Sequence, residues 1–417
     1  MKNVNRSEND FINIQELFRL PWTMSDNGIT WLEPTRQCNI TCDACFQFND
    51  PMSRKSLNQI EAEIKVLLKL RRCDAMLIAG GEPLTHPDII EVTKIVKSYN
   101  VKPVLLTNGV ALKPELLSEL KKAGLSGVSF HVDSHQSRPD WTGKNENELN
   151  ALRQYFADMV YKEKGLSCSF ILTIFPDTIH EMPYVVKRAL KNVHKVGVVT
   201  FSLVRTISKN DRWNYFNGTE KIDIDETPYS SDKYIENLMT TDMYREIRKV
   251  LPDFVFNSYL GGTVLPNSLK WTLGSHISSR NKTFGYTSGK IMELVQNIHH
   301  LFTGKFLAYT EPHITSRGKS MLIFGLFDYK MRMTSKKYFI SVLKNPLMLF
   351  RKLYLQSFTV VQPVDILPNG ENDNCDGCPN KTLWKGQLIS ACRLEEFMKY
   401  GAPMMTLPKK TFKEYSN

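Results

Sequence analysis

Between Gly28 and about Arg205, short apolar runs alternate with longer segments whose apolar residues recur at helical spacing, and nothing else in the chain constrains its fold as much. Such alternation builds βα units around a parallel sheet. Strands are predicted at GITWLEP, AMLIAG, KPVLLTN, GVSFHVD, LSCSFILTI and VGVVTFSLV. Between them lie SLNQIEAEIKVLLKLRR, with Ile60, Ile64, Leu67 and Leu68 on one face, then HPDIIEVTKIVKSYN, KPELLSELKKAG and ENELNALRQYFADMVYKEK. Six strands and five crossovers predict an α/β fold, a partial (β/α)6 barrel that does not reach the eight strands of a closed one.

Beyond Arg205 the alternation fades. Residues 210–289 are rich in Tyr, Asn, Thr, Ser and Gly and read as an irregular elaboration. The segment from about Asn374 carries three cysteines and a short helical pattern, ACRLEEFMKYG, so the barrel is expected to be followed by an α+β extension. The expected divisions are a 1–27 N-terminal extension, a 28–209 catalytic core, a 210–373 elaboration and a 374–417 cysteine region.

A chain of 417 residues, 42% of them hydrophobic, can bury a large core. Its opening MKNVNRSENDFINIQELF lacks the apolar stretch and cleavage site of a secretory signal, and no run reaches transmembrane length. Eight cysteines in such a chain read as metal ligands or buried thiols in a reducing cytoplasm, in preference to a disulfide framework. The net charge of +11 favours an anionic partner: nucleic acid, a phospholipid surface or a phosphorylated substrate.

The first strand runs into EPTRQCNITCDACFQFND, which puts Cys38, Cys42 and Cys45 at the C-terminal end of a strand, where α/β folds place active sites. Three thiolates at CxxxCxxC spacing can hold three irons of a cubane and leave the fourth open to an outside ligand. A structural zinc would need a fourth ligand, and the next in sequence are Cys73 and His86. A ferredoxin run would need a further Cys and Pro. At the end of the second strand stand Gly80, Gly81, Glu82 and Pro83. Thr107, Asn108 and Gly109 end the third.

With CNITCDAC at 38–45, GGEP at 80–83 and TNG at 107–109 in order at successive strand ends, residues 28–205 resemble the radical S-adenosylmethionine (SAM) superfamily, whose core is a TIM-like partial barrel. One departure is that Ala44 precedes the last cysteine and the aromatic residue, Phe46, follows it. The resemblance implies a 4Fe-4S cluster on Cys38, Cys42 and Cys45 whose open iron is chelated by SAM. An electron from a low-potential donor then cleaves SAM, giving methionine and a 5'-deoxyadenosyl radical that takes hydrogen from the substrate.

The same resemblance makes Gly80, Gly81, Glu82 and Pro83 the site for SAM's amino group, with Glu82 as its carboxylate partner. Missing Cβ atoms at Gly80 and Gly81 would let backbone approach the ligand. Thr107 and Asn108 serve either as a floor with ribose contacts or as a plain turn. On the fourth strand Ser129, His131 and Asp133 alternate with apolar residues, which places them on the face expected to look into the barrel. His131 and Asp133 are the candidates for SAM contact or for catalysis; the alternative for His131 is a histidine satisfied by a neighbouring carboxylate. Ser169 and Thr173 share a face of the fifth strand. Arg205, ending the sixth, is a candidate carboxylate or phosphate partner, or else one half of a surface ion pair.

Cys375, Cys378 and Cys392 form a CxxC followed by a third cysteine, which reads as a second, auxiliary iron-sulfur cluster or as a structural zinc. The set is smaller than the seven-cysteine domain of peptide-modifying relatives. Cys73 and Cys168 are candidate fourth ligands or simply buried thiols.

Lys330 to Val364 has seven Lys or Arg and no Asp or Glu, and in KNPLMLFRKLYLQSF residues Leu343, Leu347, Phe350, Tyr354 and Phe358 sit at helical spacing around Pro346. Such a stretch can lie peripherally on an anionic membrane, here the inner face, or pack on the barrel with a solvated basic edge. No RNA-binding module accompanies it, so a lipid-like or other small-molecule substrate is favoured over nucleic acid. The further alternatives are peptide or RNA modification and, in a different class, a non-catalytic metal-binding protein attached to a membrane.

Overall fold

The computed structural model describes residues 12–232, 235–308 and 311–409. All six predicted strands form: β1 (Ile29–Thr35), β2 (Ala75–Gly80), β3 (Lys102–Thr107), β4 (Gly127–His131), β5 (Ser167–Ile174) and β6 (Val198–Leu203). They pair in parallel in sequence order. Helices α1 (Leu57–Leu70), α2 (Ile89–Ser98), α3 (Pro114–Lys122), α4 (Asn150–Lys162) and α5 (Met182–Lys191) are the five crossovers.

Each element follows from local chemistry. Ser56 and Gln59 close a capping box that starts α1, and Ile60, Ile64 and Leu67 on its inner face are fully buried. The strand residues facing the helices, among them Met76, Ile78, Leu105, Phe130, Leu172 and Phe201, join them in one apolar core.

The sheet does not close after β6. It continues through β7 (Ser258–Leu260), β8 (Trp271–Ser278), β9 (Thr283–Tyr286) and β10 (Tyr354–Val361). β10 pairs parallel with β6, β8 runs antiparallel to β10, and β7 and β9 both pair with β8. Phe18–Arg19 adds a last short strand beside β7. Residues 210–289 are therefore a sheet extension with a helix, α6 (Thr240–Arg248), and not an irregular elaboration. β7, β8 and β9 hide because they join the barrel edge through β10 and so are buried without an apolar pattern.

A second correction concerns the basic stretch. α8 (Tyr329–Lys344), which follows α7 (Gly289–Thr303), ends before Pro346; a short 3-10 helix spans Pro346–Phe350, and Tyr354 and Phe358 lie in β10. The helical spacing of those two aromatics is coincidental, and Phe358 is fully buried in the sheet. In the cysteine region a hairpin (Lys381–Trp384 with Gln387–Ser390) precedes α9 (Leu394–Tyr400). The strand Met405–Pro408 then pairs with Trp213–Asn217. No helix among the described residues is long and apolar enough to cross a membrane.

Candidate active site

The cysteine loop is tied to the loop after β4. Asp43 N–H donates to His135 O (2.9 Å), Ser137 N–H to Thr41 O (2.9 Å), and Cys42 bridges to Gln136. Cys45 is exposed; Cys38 and Cys42 are half-buried. Burial pushes all three thiols above their ordinary range, and neighbouring thiols add to this for Cys38 and Cys42. The trio thus shares one small volume, where ionised sulfurs need a cationic centre.

Among the described residues, no three His, Cys, Asp or Glu side chains converge as single-ion ligands. Tetrahedral zinc would hold sulfurs about 3.8 Å apart, given a Zn–S bond of about 2.3 Å. By the chemistry of the donor set, three thiolates on one loop would suit three irons of a cubane.

Gly80 and Gly81 are required by the packing of the loops themselves. A Cβ on Gly80, whose φ is +112°, would stand 2.4 Å from Thr35 O, and one on Gly81 would stand 2.4 Å from Gln37 O. The glycines splice the second strand's turn onto the cysteine loop: Gly81 N–H donates to Thr35 O (3.0 Å) and Glu82 N–H to Gln37 O (2.7 Å).

Glu82 is 1% exposed. Its carboxylate accepts from Thr107 Oγ1 (2.6 Å), Asn108 N (2.7 Å) and Leu84 N (3.0 Å). Burial nevertheless raises its pKa, against those bonds and nearby Arg138. With three donors on about four lone-pair positions, it keeps room for one further donor. Pro83 opens the short 3-10 turn that Glu82 caps. Thr107 and Asn108 do more than end a strand: Asn108 Nδ2 donates to Asn39 Oδ1 (2.8 Å) and lies 3.9 Å from Cys38 Sγ. The three sequence motifs therefore meet in one hydrogen-bonded unit.

His131 Nε2 stands 2.8 Å from Asp133 Oδ2 and 3.1 Å from Thr173 Oγ1, so this histidine is satisfied by a carboxylate. Asp133 is buried beyond the strand end, where it also accepts from Thr173 N (2.9 Å) and His135 N (3.2 Å). Burial pushes its carboxyl up, but His131, the Thr173 amide and Arg153 outweigh this and hold it low. His131 remains half-exposed toward the barrel interior. Arg205 is buried and donates from Nε to Asp365 Oδ1 (2.8 Å), within a network that Lys270 joins. It is a buried pair and not a surface one, because the extension supplies its counter-charge.

Sequence reasoning missed Arg138 and Glu33. Arg138 is 2% exposed and bonds Asn108 O (2.6 Å), His131 O (2.9 Å) and Gln136 Oε1 (2.9 Å), bracing the floor beneath the cysteines. Glu33, buried on β1, accepts from Trp31 Nε1 (3.1 Å) and from Gln47, and burial raises its pKa. An arginine within HQSRPD carries no sequence mark of burial, whereas Glu33 in the apolar run ITWLEP could have been flagged.

At the other cysteine set, burial and then neighbouring Cys378 raise the thiols of Cys375 and Cys392, the latter to about 12, so the three sulfurs lie near one another. Arg71, 1% exposed, donates to Cys378 O (2.8 Å) and leaves Nε and Nη1 without partners among the described residues. Cys73 is near Arg71, while burial alone raises Cys168.

A family model described as "Radical SAM superfamily" matches residues 32–189. The chain is 24% identical over 302 residues to a 7,8-dihydro-6-hydroxymethylpterin dimethyltransferase of Methanocaldococcus jannaschii, covering 70% of this chain and 57% of that protein. It is 30% identical over 108 residues to an AdoMet-dependent heme synthase of Methanosarcina barkeri, covering 25% of this chain and 30% of that one. The chain thus spans about half or less of these relatives' lengths. Among solved structures, Streptococcus suis SuiB bound to S-adenosylmethionine aligns with 54% of this chain and 47% of its own at 15% identity and a TM-score of 0.39.

Proposed function

We propose, from the match of residues 32–189 to the radical SAM family model, that the chain is an enzyme that reductively cleaves SAM and uses the resulting radical on an unactivated C–H bond of a lipid-like substrate. The observation that carries the reading is the joined unit of Cys38, Asn108, Thr107 and Glu82. Cys38, Cys42 and Cys45 would hold the 4Fe-4S cluster. When bound, cluster and SAM supply the electron and the 5'-deoxyadenosyl radical for hydrogen abstraction.

The chain's own residues bind and orient. Glu82 offers its remaining lone pair to the SAM ammonium, and burial strengthens that contact. Asn108 fixes the distance between this carboxylate and the cysteine loop, while Arg138 holds three backbone and side-chain oxygens so that the floor does not shift. His131, held by Asp133 and Thr173, faces the interior as a substrate-side polar group. A low-potential donor supplies the electron, and the second cysteine set is read as an auxiliary cluster.

The lipid-like class rests on the face formed by residues 322–350, where Phe327 and Phe350 are each 82% exposed among basic side chains. An apolar, positively charged surface suits an anionic membrane. Anaerobic, reduced, cluster-loaded protein should form 5'-deoxyadenosine from SAM, and Cys38→Ala should not. Undiminished product from Cys38→Ala would end the proposal.

A further inference from the structure

The interior of the barrel holds a cavity of about 800 Å³ below the site just described. That volume lies within the roughly 300–1,000 Å³ of small-molecule sites. Closed (β/α) barrels pack this space with side chains. Here Ile29, Trp31, Leu77, Ile171, Val198 and Trp271 line it and remain half-exposed to it. Apolar surface left uncovered inside a fold is costly, and an apolar occupant would remove that cost.

The cavity has a direction. Its wall is made of residues near the N-terminal ends of the strands, such as Ile29, Val104, Ser167 and Val198, so it opens at the end opposite the cysteine loop. Its inner limit is Trp31, Ser129, Ile171 and Thr200, one strand step short of Glu33, His131, Thr173 and Ser202. The span from Ser167 to Ile171 is about 13 Å at strand rise. Around the mouth stand exposed Lys162, Lys164 and Lys352, with Lys195 beside them.

Polar atoms at the wall also lack partners among the described residues: Trp22 Nε1, on a side chain 8% exposed, together with His194 Nδ1 and Asn380 Oδ1. Finally, Lys352 and Tyr354 of the wall follow directly on the 3-10 helix Pro346–Phe350, whose Leu347 and Phe350 are exposed. The wall thus adjoins, along the chain, an exposed apolar segment.

We infer that this cavity is the binding site of an anionic amphiphile, whose single hydrocarbon chain enters from the N-terminal end of the strands and whose headgroup stays at the lysine rim. The inference rests on the lipid-like reading of the substrate and gives it a location and a polarity. The chain's leading end abuts the layer of His131 and Thr173 from below, while SAM would approach that layer from the cysteine loop above. Substrate and cofactor then enter by opposite ends, so neither has to leave for the other to bind.

The test is a fluorescence titration of intact protein with cis-parinaric acid, competed by palmitate in one arm and geranylgeranyl phosphate in the other to separate acyl from isoprenoid chains. Saturable binding of one probe per chain is expected. Ser169→Trp and Val198→Trp, filling the cavity from two strands, should each weaken it at least tenfold, and Phe350→Asp should leave it within twofold. A diazirine-bearing fatty acid provides a readout that needs no variant: labelling within 167–171 or 198–200 supports the site. Labelling confined to 322–350, or unchanged affinity in both folded Trp variants, overturns it. Binding requires no SAM cleavage, so probe uptake without 5'-deoxyadenosine would sink only the catalytic proposal, and cleavage without uptake only this one.

Discussion

The barrel strands β1–β6 and the extension strands β8 and β10 share one sheet yet are held by different physics. The barrel's outer face is apolar: Phe130 stacks on Phe156 with centroids 4.3 Å apart, within a continuous core of Val, Leu, Ile and Phe. The extension joins the same core through residues such as Phe358 and Val360 but also buries polar side chains that bond across its strands. His276 and Gln356, both 0% exposed, bond at 3.1 Å, Ser275 meets Ser357 at 2.8 Å, and Gln356 donates to Ala189 O and Val196 O. Apolar burial is non-directional and tolerant, whereas a buried polar network fails when one member is lost. The two cysteine sets follow this division. The barrel set lies on a loop with Cys45 in solvent. The extension set is stitched to Gly261, Gly262, Asn27 and Arg71, joining three parts of the chain.

The largest contrast should come from those two sets. Cys42→Ala should reduce 5'-deoxyadenosine formation more than a hundredfold while shifting Tm by little, because the loop is already tied by backbone bonds. Cys378→Ala should leave cleavage within about tenfold but lower Tm by several degrees. Iron analysis of each variant with a thermal melt checks both, and the reverse pattern would break the division of labour. Chelation should mimic Cys378→Ala, as expected of the auxiliary cluster proposed on this cysteine set.

Next in size are the stability effects. Phe130→Ala should cost about 3–5 kcal/mol, as for other large-to-small changes in a packed core. Acid should act on the extension. Burial lowers the pKa of His276 to about 4 from 6.5. The unfolded chain then takes up a proton between pH 6.5 and 4 that the folded chain refuses, so stability is intact above 6.5 and falls as pH drops through this window. The loss approaches about 3 kcal/mol at full effect. Denaturant melts at pH 7 and pH 4.5 should show this slope in the native chain and a flatter one in His276→Asn.

The same division decides what could be read from sequence. Every barrel strand was legible because one face carries apolar residues against helices and each strand end carries a motif. The cysteine loop, GGEP and TNG could be ordered from strand ends alone, and the structure joins them through Asn108 and Glu82. The extension was illegible for the reason it is stable: TLGSHIS and LQSFTVV alternate polar groups that pair with each other across β8 and β10, a match no single segment reveals. Arg205 misled for the same cause, its partner Asp365 lying 160 residues away. The barrel cavity escaped too, since a half-exposed Ile171 and a buried one look alike in sequence.

The finest test of the comparison is Gln356. Beside the backbone pairing of β10 with β6, its amide ties the extension to the barrel side, donating to Ala189 O at the end of α5 and to Val196 O before β6 while accepting from His276. Gln356→Leu keeps approximate size and apolar area, so a sheet held by burial alone would be unmoved. A sheet held by directional bonds should lose about 2 kcal/mol, because Val196 O and His276 Nε2 lose their Gln356 partner in a buried place. His276→Leu alone removes one end of the same bond. If the network is cooperative, the double variant should be less destabilised than the sum of the two singles, and a double-mutant cycle from urea melts measures that coupling. Strict additivity would mean that His276 and Gln356 are independent, and that the extension is held, like the barrel, by packing.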